Sequence, residues 1–197
     1  MMAHFLKNTL ERGGVVIVAT DTVYGLAALP GSAGYDEIFA IKGRPREQVL
    51  AWLVADEHAL DTFCTNVPNY ARQLAKTFWP GALTLVLPSA DAQSGATIAL
   101  RCPAEESLVE LIASLGKPLA CTSANLHGQP PASRIEQLPA SMRELCGGDS
   151  LPKSCTGGMA STIVDCTGAY PTILRQGPIP QSVVFDVAIY GATLPDV

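Results

Sequence analysis

The amino-acid sequence predicts an α/β fold in one domain spanning residues 1–197, and three observations carry that prediction. A chain of 197 residues with 48% hydrophobic content can bury one proper core, and its length argues for one domain rather than two. Short apolar runs rich in β-branched residues, of which Val15-Val16-Ile17-Val18-Ala19 is the first, read as buried strands. Between them lie segments with helical spacing that stop at glycine or proline, as at Gly13-Gly14, Trp79-Pro80-Gly81 and Gly116.

Residues 2–12 form the first expected helix, with Phe5, Leu6 and Leu10 ahead of a glycine terminator. The strand over 15–19 then exits into the polar loop Thr20-Asp21-Thr22-Val23-Tyr24-Gly25. Ligands of open α/β sheets sit beyond strand ends, so this loop is a candidate site wall. A short helix over 35–41 leads into Lys42-Gly43-Arg44-Pro45, where Gly43 and Pro45 oppose helix continuation and predict an extended or turning segment. A strand over 49–54 and helices over 56–63 and 67–78 follow, and Trp79-Pro80-Gly81 breaks the second helix before a strand over 82–87.

Residues 97–101 read as a strand, 105–115 as a helix closed by Gly116, and 119–122 as a strand with Ser123-Ala124-Asn125 at its exit. Residues 134–146 read as helical, 147–160 as a Gly- and Ser-rich stretch, and 161–165 and 172–175 as two final strands. The tail, 178–197, carries Pro178, Pro180 and an apolar run over 183–189 that the pattern leaves unassigned.

Composition excludes several function classes. Charged residues are 16% of the chain and the formal net charge is -5, so nucleotide or RNA binding requires a local cationic patch rather than an overall field. The six cysteines are scattered without a C-x-x-C pair and read as reduced thiols of a cytoplasmic protein. The amino terminus lacks the apolar core of a signal peptide, and no stretch approaches a membrane span. No P-loop, no G-x-G-x-x-G after the first strand and no G-x-S-x-G are present. Three histidines, His4, His58 and His127, and no clustered carboxylates argue against a catalytic metal built from side chains.

Two short motifs place polar side chains at i and i+2, which in extended backbone point the same way. Lys42 with Arg44 forms a paired cationic probe suited to a polyphosphate, and Ser123 with Asn125 a paired hydrogen-bonding probe. Each also has an ordinary reading, as solvated charges and as capping or turn residues, and Thr20 and Thr22 share the turn reading. Arg101 at a strand end is more telling, because its five donors need an anion or solvent. His127 in the loop after Asn125 reads as a solvated histidine rather than an acid/base, and Trp79 as a packing residue.

Taken in order, Thr20-Asp21-Thr22-Val23-Tyr24-Gly25-Leu26, Lys42-Gly43-Arg44-Pro45, Trp79-Pro80-Gly81, Thr122-Ser123-Ala124-Asn125 and Ser161-Thr162-Ile163-Val164-Asp165 resemble the YrdC-like family of threonylcarbamoyl-AMP synthases, from about Gly14 to Gly177. The resemblance implies a twisted, open mixed sheet with flanking helices around a concave site for ATP and L-threonine. It implies a catalytic set of Lys42, Arg44, Ser123 and Asn125, and threonine binding by Thr20, Arg101 and Ser123. Lys42, Arg44, Thr97, Thr122, Asn125 and Arg175 would surround ATP, with Mg²⁺ held mainly by the triphosphate and no metal ligand from side chains.

The implied reaction joins L-threonine to bicarbonate or carbon dioxide, and the resulting carbamate attacks the α-phosphate of ATP. The product feeds threonylcarbamoyladenosine formation in tRNA, which implies tRNA-modification partner proteins. The sequence departs from longer relatives at Leu53, where they carry a histidine, at His127, where a serine is common, and at Ala19, where a proline precedes the first threonine. Two alternatives stay open: a non-catalytic RNA-binding module, and a divergent paralogue with another substrate.

Overall fold

The structure is a computed structural model that describes residues 2–191 except 44, 47, 92–96 and 147–153. In chain order the elements are α1 (Met2–Glu11), β1 (Val16–Val18), β2 (Gly25–Ala28), α2 (Ala33–Lys42), β3 (Ala51–Leu53), α3 (Ala59–Phe63), α4 (Asn69–Phe78) and β4 (Leu83–Pro88). They continue with β5 (Thr97–Arg101), α5 (Glu106–Leu115), β6 (Leu119–Ser123), α6 (Ala140–Arg143), β7 (Thr162–Asp165), β8 (Thr172–Arg175) and α7 (Gln181–Tyr190). Among the described residues the strands form one 8-stranded sheet in the order β1-β2-β6-β3-β5-β4-β7-β8. The β3–β5 and β4–β7 pairs are parallel and the remaining neighbours antiparallel, so the sheet is mixed and open, as expected.

Alternation along the central strands decides which side is core. Leu83, Leu85 and Leu87 of β4 and Ile98 and Leu100 of β5 pack with Leu60 of α3, Leu74 of α4 and Val184 and Val187 of α7. The intervening Thr84, Val86, Thr97, Ala99 and Arg101 line a cleft instead. Two further clusters complete the interior. One joins Ile38 and Phe39 of α2 to Ile17 and Leu26, and the other joins Leu6 and Leu10 of α1 to Leu108, Leu111 and Ile112 of α5.

Several boundaries differ from the sequence reading for identifiable reasons. Lys42 is the last residue of α2, because Gly43 adopts a left-handed φ of 62° and caps the helix through its N–H to Phe39 O and Ala40 O. Lys42 therefore does not begin an extended pair with Arg44, which lies outside the described residues. The expected helix over 134–146 is broken into a 3₁₀ turn at Ile135–Gln137, the short α6 and a second 3₁₀ turn at Glu144–Cys146. Pro139 lacks an N–H and holds Leu138 extended, at φ -64° and ψ 134°.

β2 is absent from the sequence reading because Gly25, Ala27 and Ala28 carry little strand propensity. Tertiary pairing with β1 and β6 creates it, and Gly25 is required there: a Cβ would lie 2.5 Å from Cys121 Sγ. The unassigned apolar run of the tail becomes α7, which starts after Pro180 and buries Val184 and Val187. Residues 192–197 of the tail lie outside the described residues.

Candidate active site

The small side chains on one face of β4, β5 and β7 leave room for a cleft of about 280 Å³. That is near the lower end of the roughly 300–1,000 Å³ of small-molecule sites. Its floor includes Thr84 and Val86 of β4, Thr97 and Ala99 of β5, and Ser161 and Ile163 of the β7 segment. The turn from Thr20 to Gly25 walls one side, Thr122 and Ser123 of β6 adjoin it, and Leu174 and Arg175 of β8 contribute another part of the lining. Among the described lining residues the charged side chains are Arg101 and Arg175, with no carboxylate. Asp21 pairs with Arg101 from outside the lining, so the cleft offers an anion fixed guanidinium donors rather than a large excess of positive charge.

The turn after β1 is tied by its own hydroxyls. Thr20 Oγ1 donates to Val23 O at 2.7 Å and accepts from Thr22 N at 3.1 Å and Val23 N at 3.2 Å. It also shares a 2.8 Å hydrogen bond with Thr22 Oγ1. Because the single Thr20 proton goes to Val23 O, Thr22 is the donor in that contact. The Thr20 hydroxyl, expected to meet substrate, is thus engaged in closing the turn. A second loop lies against this one: Gly158 N donates to Thr22 O at 2.7 Å, and a Cβ on Gly157 would stand 2.5 Å from Asp21 O.

Arg101 has the anion that its position demanded, and that anion is Asp21 of the same chain. Nη2 donates to Asp21 Oδ1 at 2.6 Å, Nη1 to Thr22 Oγ1 at 2.9 Å and Nε to Gly81 O at 2.9 Å. The Gly81 carbonyl is presented by the Trp79-Pro80-Gly81 break, whose Trp79–Pro80 bond is cis and whose Gly81 N donates to Cys102 O at 2.8 Å. Three of the five guanidinium donors are used in these contacts, and Arg101 still forms part of the cleft wall.

Lys42 and Ser123-Ala124-Asn125, which the sequence could only set side by side, meet directly. Lys42 Nζ donates to Ser123 O at 2.5 Å, to Asn125 O at 2.8 Å and to Asn125 Oδ1 at 3.1 Å. Ser123 Oγ donates to the same Oδ1 at 2.5 Å, while Asn125 Nδ2 reaches Leu126 O at 3.0 Å and Gln129 O at 2.5 Å. Of this group Ser123 lines the cleft, whereas Lys42 and Asn125 are buried behind it.

Thr97, Thr122 and Arg175 also line the cleft. Arg175 is braced by Ser161, with Nε 3.0 Å and Nη2 2.9 Å from Ser161 O. His127 is exposed, outside the lining, and its N–H donates to Lys42 O at 2.9 Å. Leu53 lies in the cleft wall and is buried. Cys121 lies there as well, and burial pushes its thiol up to about 12, so it is a neutral side chain and not a nucleophile at neutral pH.

The loop from Thr20 to Gly25, expected as a site wall, is one, but the sequence reading gave Asp21, Thr84 and Ser161 no individual role in the site and took Thr22 as a turn former. A signal for two of them was present: Thr84 between Leu83 and Leu85, and Ser161 two residues before Ile163, put small polar residues on the face opposite the core. Asp21 and Thr22 were placed by their loop at a strand exit, but only the tertiary approach of Arg101 gives their side chains a task.

Residues 8–177 match the family described as telomere recombination and named for Sua5, YciO and YrdC. A Mycobacterium leprae protein provisionally named threonylcarbamoyl-AMP synthase is 37% identical over 187 residues, covering 90% of this chain and 84% of its own. The threonylcarbamoyl-AMP synthase of Bacillus subtilis is 35% identical over 185 residues, which are 89% of this chain and 53% of that protein. Among solved structures, P. abyssi Sua5 complexed with L-threonine is similar with a TM-score of 0.80 at 30% identity, over 96% of this chain and 57% of that one.

Proposed function

The chain belongs to the Sua5/YciO/YrdC family, and from that premise we propose that it is a threonylcarbamoyl-AMP synthase acting on L-threonine, bicarbonate or carbon dioxide, and ATP. The observation that carries this reading is convergence: Thr20, Thr97, Arg101, Thr122, Ser123 and Arg175, drawn from distant parts of the chain, line one cleft. The P. abyssi relative complexed with L-threonine supports the amino-acid half of the assignment.

The chemistry asks for positioning and charge neutralisation more than for a protein nucleophile. The threonine amine and bicarbonate give an N-carboxylate and water. One oxygen of that carboxylate then bonds to the α-phosphorus of ATP, the bond to the bridging oxygen breaks, and pyrophosphate leaves. Arg101 offers its remaining N–H groups to the α-carboxylate, with Thr20 and Thr22 shaping the wall beside it. Ser123 faces the carbamate, and Arg175, Thr97 and Thr122 face the nucleotide. Lys42 and Asn125 hold the Ser123 loop from behind, and Arg44 contributes charge to the phosphates. The cleft keeps the labile carbamate from bulk water.

The described lining offers no carboxylate to a divalent ion, so Mg²⁺ enters as part of the ATP substrate. The acyl adenylate is then consumed by proteins that modify tRNA. Among the described residues no helix is long and apolar enough to cross a membrane, and we place the reaction in the cytoplasm. Pyrophosphate release from ATP and Mg²⁺, with threonine and bicarbonate omitted in turn, tests the assignment. Dependence on both is expected, and equal release without threonine would overturn it.

A further inference from the structure

Asp21 is a nearly buried carboxylate beside the cleft that the reaction above leaves without a task. Its side chain is 14% exposed and that of Arg101 is 7% exposed. A single oxygen, Oδ1, accepts from Arg101 Nη2 at 2.6 Å and from Ala104 N at 3.0 Å. Arg101 is held at its other nitrogens by Thr22 Oγ1 and Gly81 O. The clamp therefore draws on the turn after β1 and the break before β4, and the Ala104 bond fixes the carboxylate against the segment between β5 and α5.

A guanidinium has five donors, and these contacts use one on each nitrogen. One N–H on each terminal nitrogen is left. A fork already held in place loses little freedom when a second carboxylate arrives, and a planar guanidinium matches a carboxylate in bidentate fashion. Without Asp21 the same side chain would keep two neutral acceptors, Thr22 Oγ1 and Gly81 O, each holding it less firmly than a carboxylate of opposite charge.

We propose that Asp21 is a positioning residue for carboxylate recognition, holding Arg101 so that its two remaining N–H groups are presented to the α-carboxylate of the amino-acid substrate. This rests on the synthase reading given above. Asp21 acts through Arg101 and does not touch the reacting atoms.

Asp21→Asn keeps the shape and removes the charge. It is expected to raise KM for L-threonine by about tenfold, with kcat and KM for ATP within about twofold of the unaltered protein. If Asp21 works through Arg101, Asp21→Asn added to Arg101→Lys changes threonine KM by less than about twofold beyond Arg101→Lys alone. Losses that add, or equal rises for threonine and ATP, would overturn the proposal. Nitrogen-15 NMR of the unaltered protein supplies a readout free of turnover and of variant folding. Resolved, slowly exchanging Arg101 guanidinium signals that shift on titration with L-threonine are expected. A freely rotating, averaged signal defeats the proposal even in an active enzyme. Absence of threonine-dependent pyrophosphate release together with resolved signals that shift with threonine defeats only the synthase reading.

Discussion

Lys42 and Asn125 are 83 residues apart in the chain, yet Lys42 Nζ lies 2.8 Å from Asn125 O and 3.1 Å from its Oδ1. With 4% and 8% exposure they are among the few buried polar side chains of the described residues. Their contact makes the end of α2 and the exit of β6 one unit. Lys42→Met removes the ammonium and leaves Ser123 O and Asn125 O without that donor. The expected cost is about 1–3 kcal/mol, read as a lower urea midpoint with an unchanged slope, together with slower pyrophosphate release. An unchanged midpoint would show that the ammonium is not what ties the two segments together.

Arg44 is proposed to act on the phosphates directly. Loss of an electrostatic donor of this kind costs about 10²-fold or more in turnover, so Arg44→Ala is expected to lower pyrophosphate release by that factor while the protein stays folded by circular dichroism. Unchanged turnover removes Arg44 from the mechanism.

Neighbouring residues on β5 should separate stability from function. Leu100 is fully buried against the helices, and its truncation to Ala is expected to cost about 2–5 kcal/mol. Ala99 faces the cleft. Ala99→Phe is expected to abolish threonine-dependent turnover with a stability change of no more than about 1 kcal/mol, since the new ring occupies the cleft instead of the core. Denaturation curves and the pyrophosphate assay on both variants check the pair, and the opposite ranking would reverse the assignment of the two faces.

Gly25 allows β2 to approach β6. A Cβ there would lie 2.5 Å from Cys121 Sγ and 3.2 Å from Val18 Cγ2. Gly25→Ala is expected to cost about 1–3 kcal/mol through overpacking. Adding Cys121→Ala removes the closest atom and should recover part of the loss. A thermal melt of the double variant no better than that of Gly25→Ala would place the strain elsewhere.

The buried thiols impose a direction on pH dependence. Burial raises Cys64 and Cys102 from 9.0 to about 11, and Cys121 and Cys166 from 9.0 to about 12. Unfolding exposes them, so above about pH 9 the unfolded chain has lost protons that the folded chain keeps. The stability these neutral thiols contribute is fully present below pH 9 and is lost as pH rises through about 11 to 12. Urea midpoints measured from pH 8 to pH 11 should fall, and a flat profile would contradict it. Thiol reagents at pH 8 should label the folded protein slowly and the denatured protein fully.

Much of the fold was legible because local rules and tertiary structure agree. The strand at Thr97–Arg101 has the bounds that the sequence predicts, and Gly43 and Gly116 end helices through the left-handed conformation that glycine adopts readily. Where the sequence reading missed, packing overrode propensity. Gly25-Leu26-Ala27-Ala28 is a strand because it is held between two others, and Val183–Ile189 is helical because Pro180 starts a helix whose Val184 and Val187 find α4.

By itself the sequence determined the α/β class, the order of motifs that places the chain in its family, and the residue types gathered for an anionic, polar ligand. These follow from period, punctuation and composition, which are properties of near neighbours in the chain. The tertiary structure decided which candidate faces the cleft and which stands behind it. Ser123 lines the site while Lys42 and Asn125 brace it, and Arg101 arrives already paired with Asp21. The orientation of a buried polar group is set by the partners that satisfy its donors and acceptors, and here those partners lie about 80 residues away, as Arg101 does from Asp21.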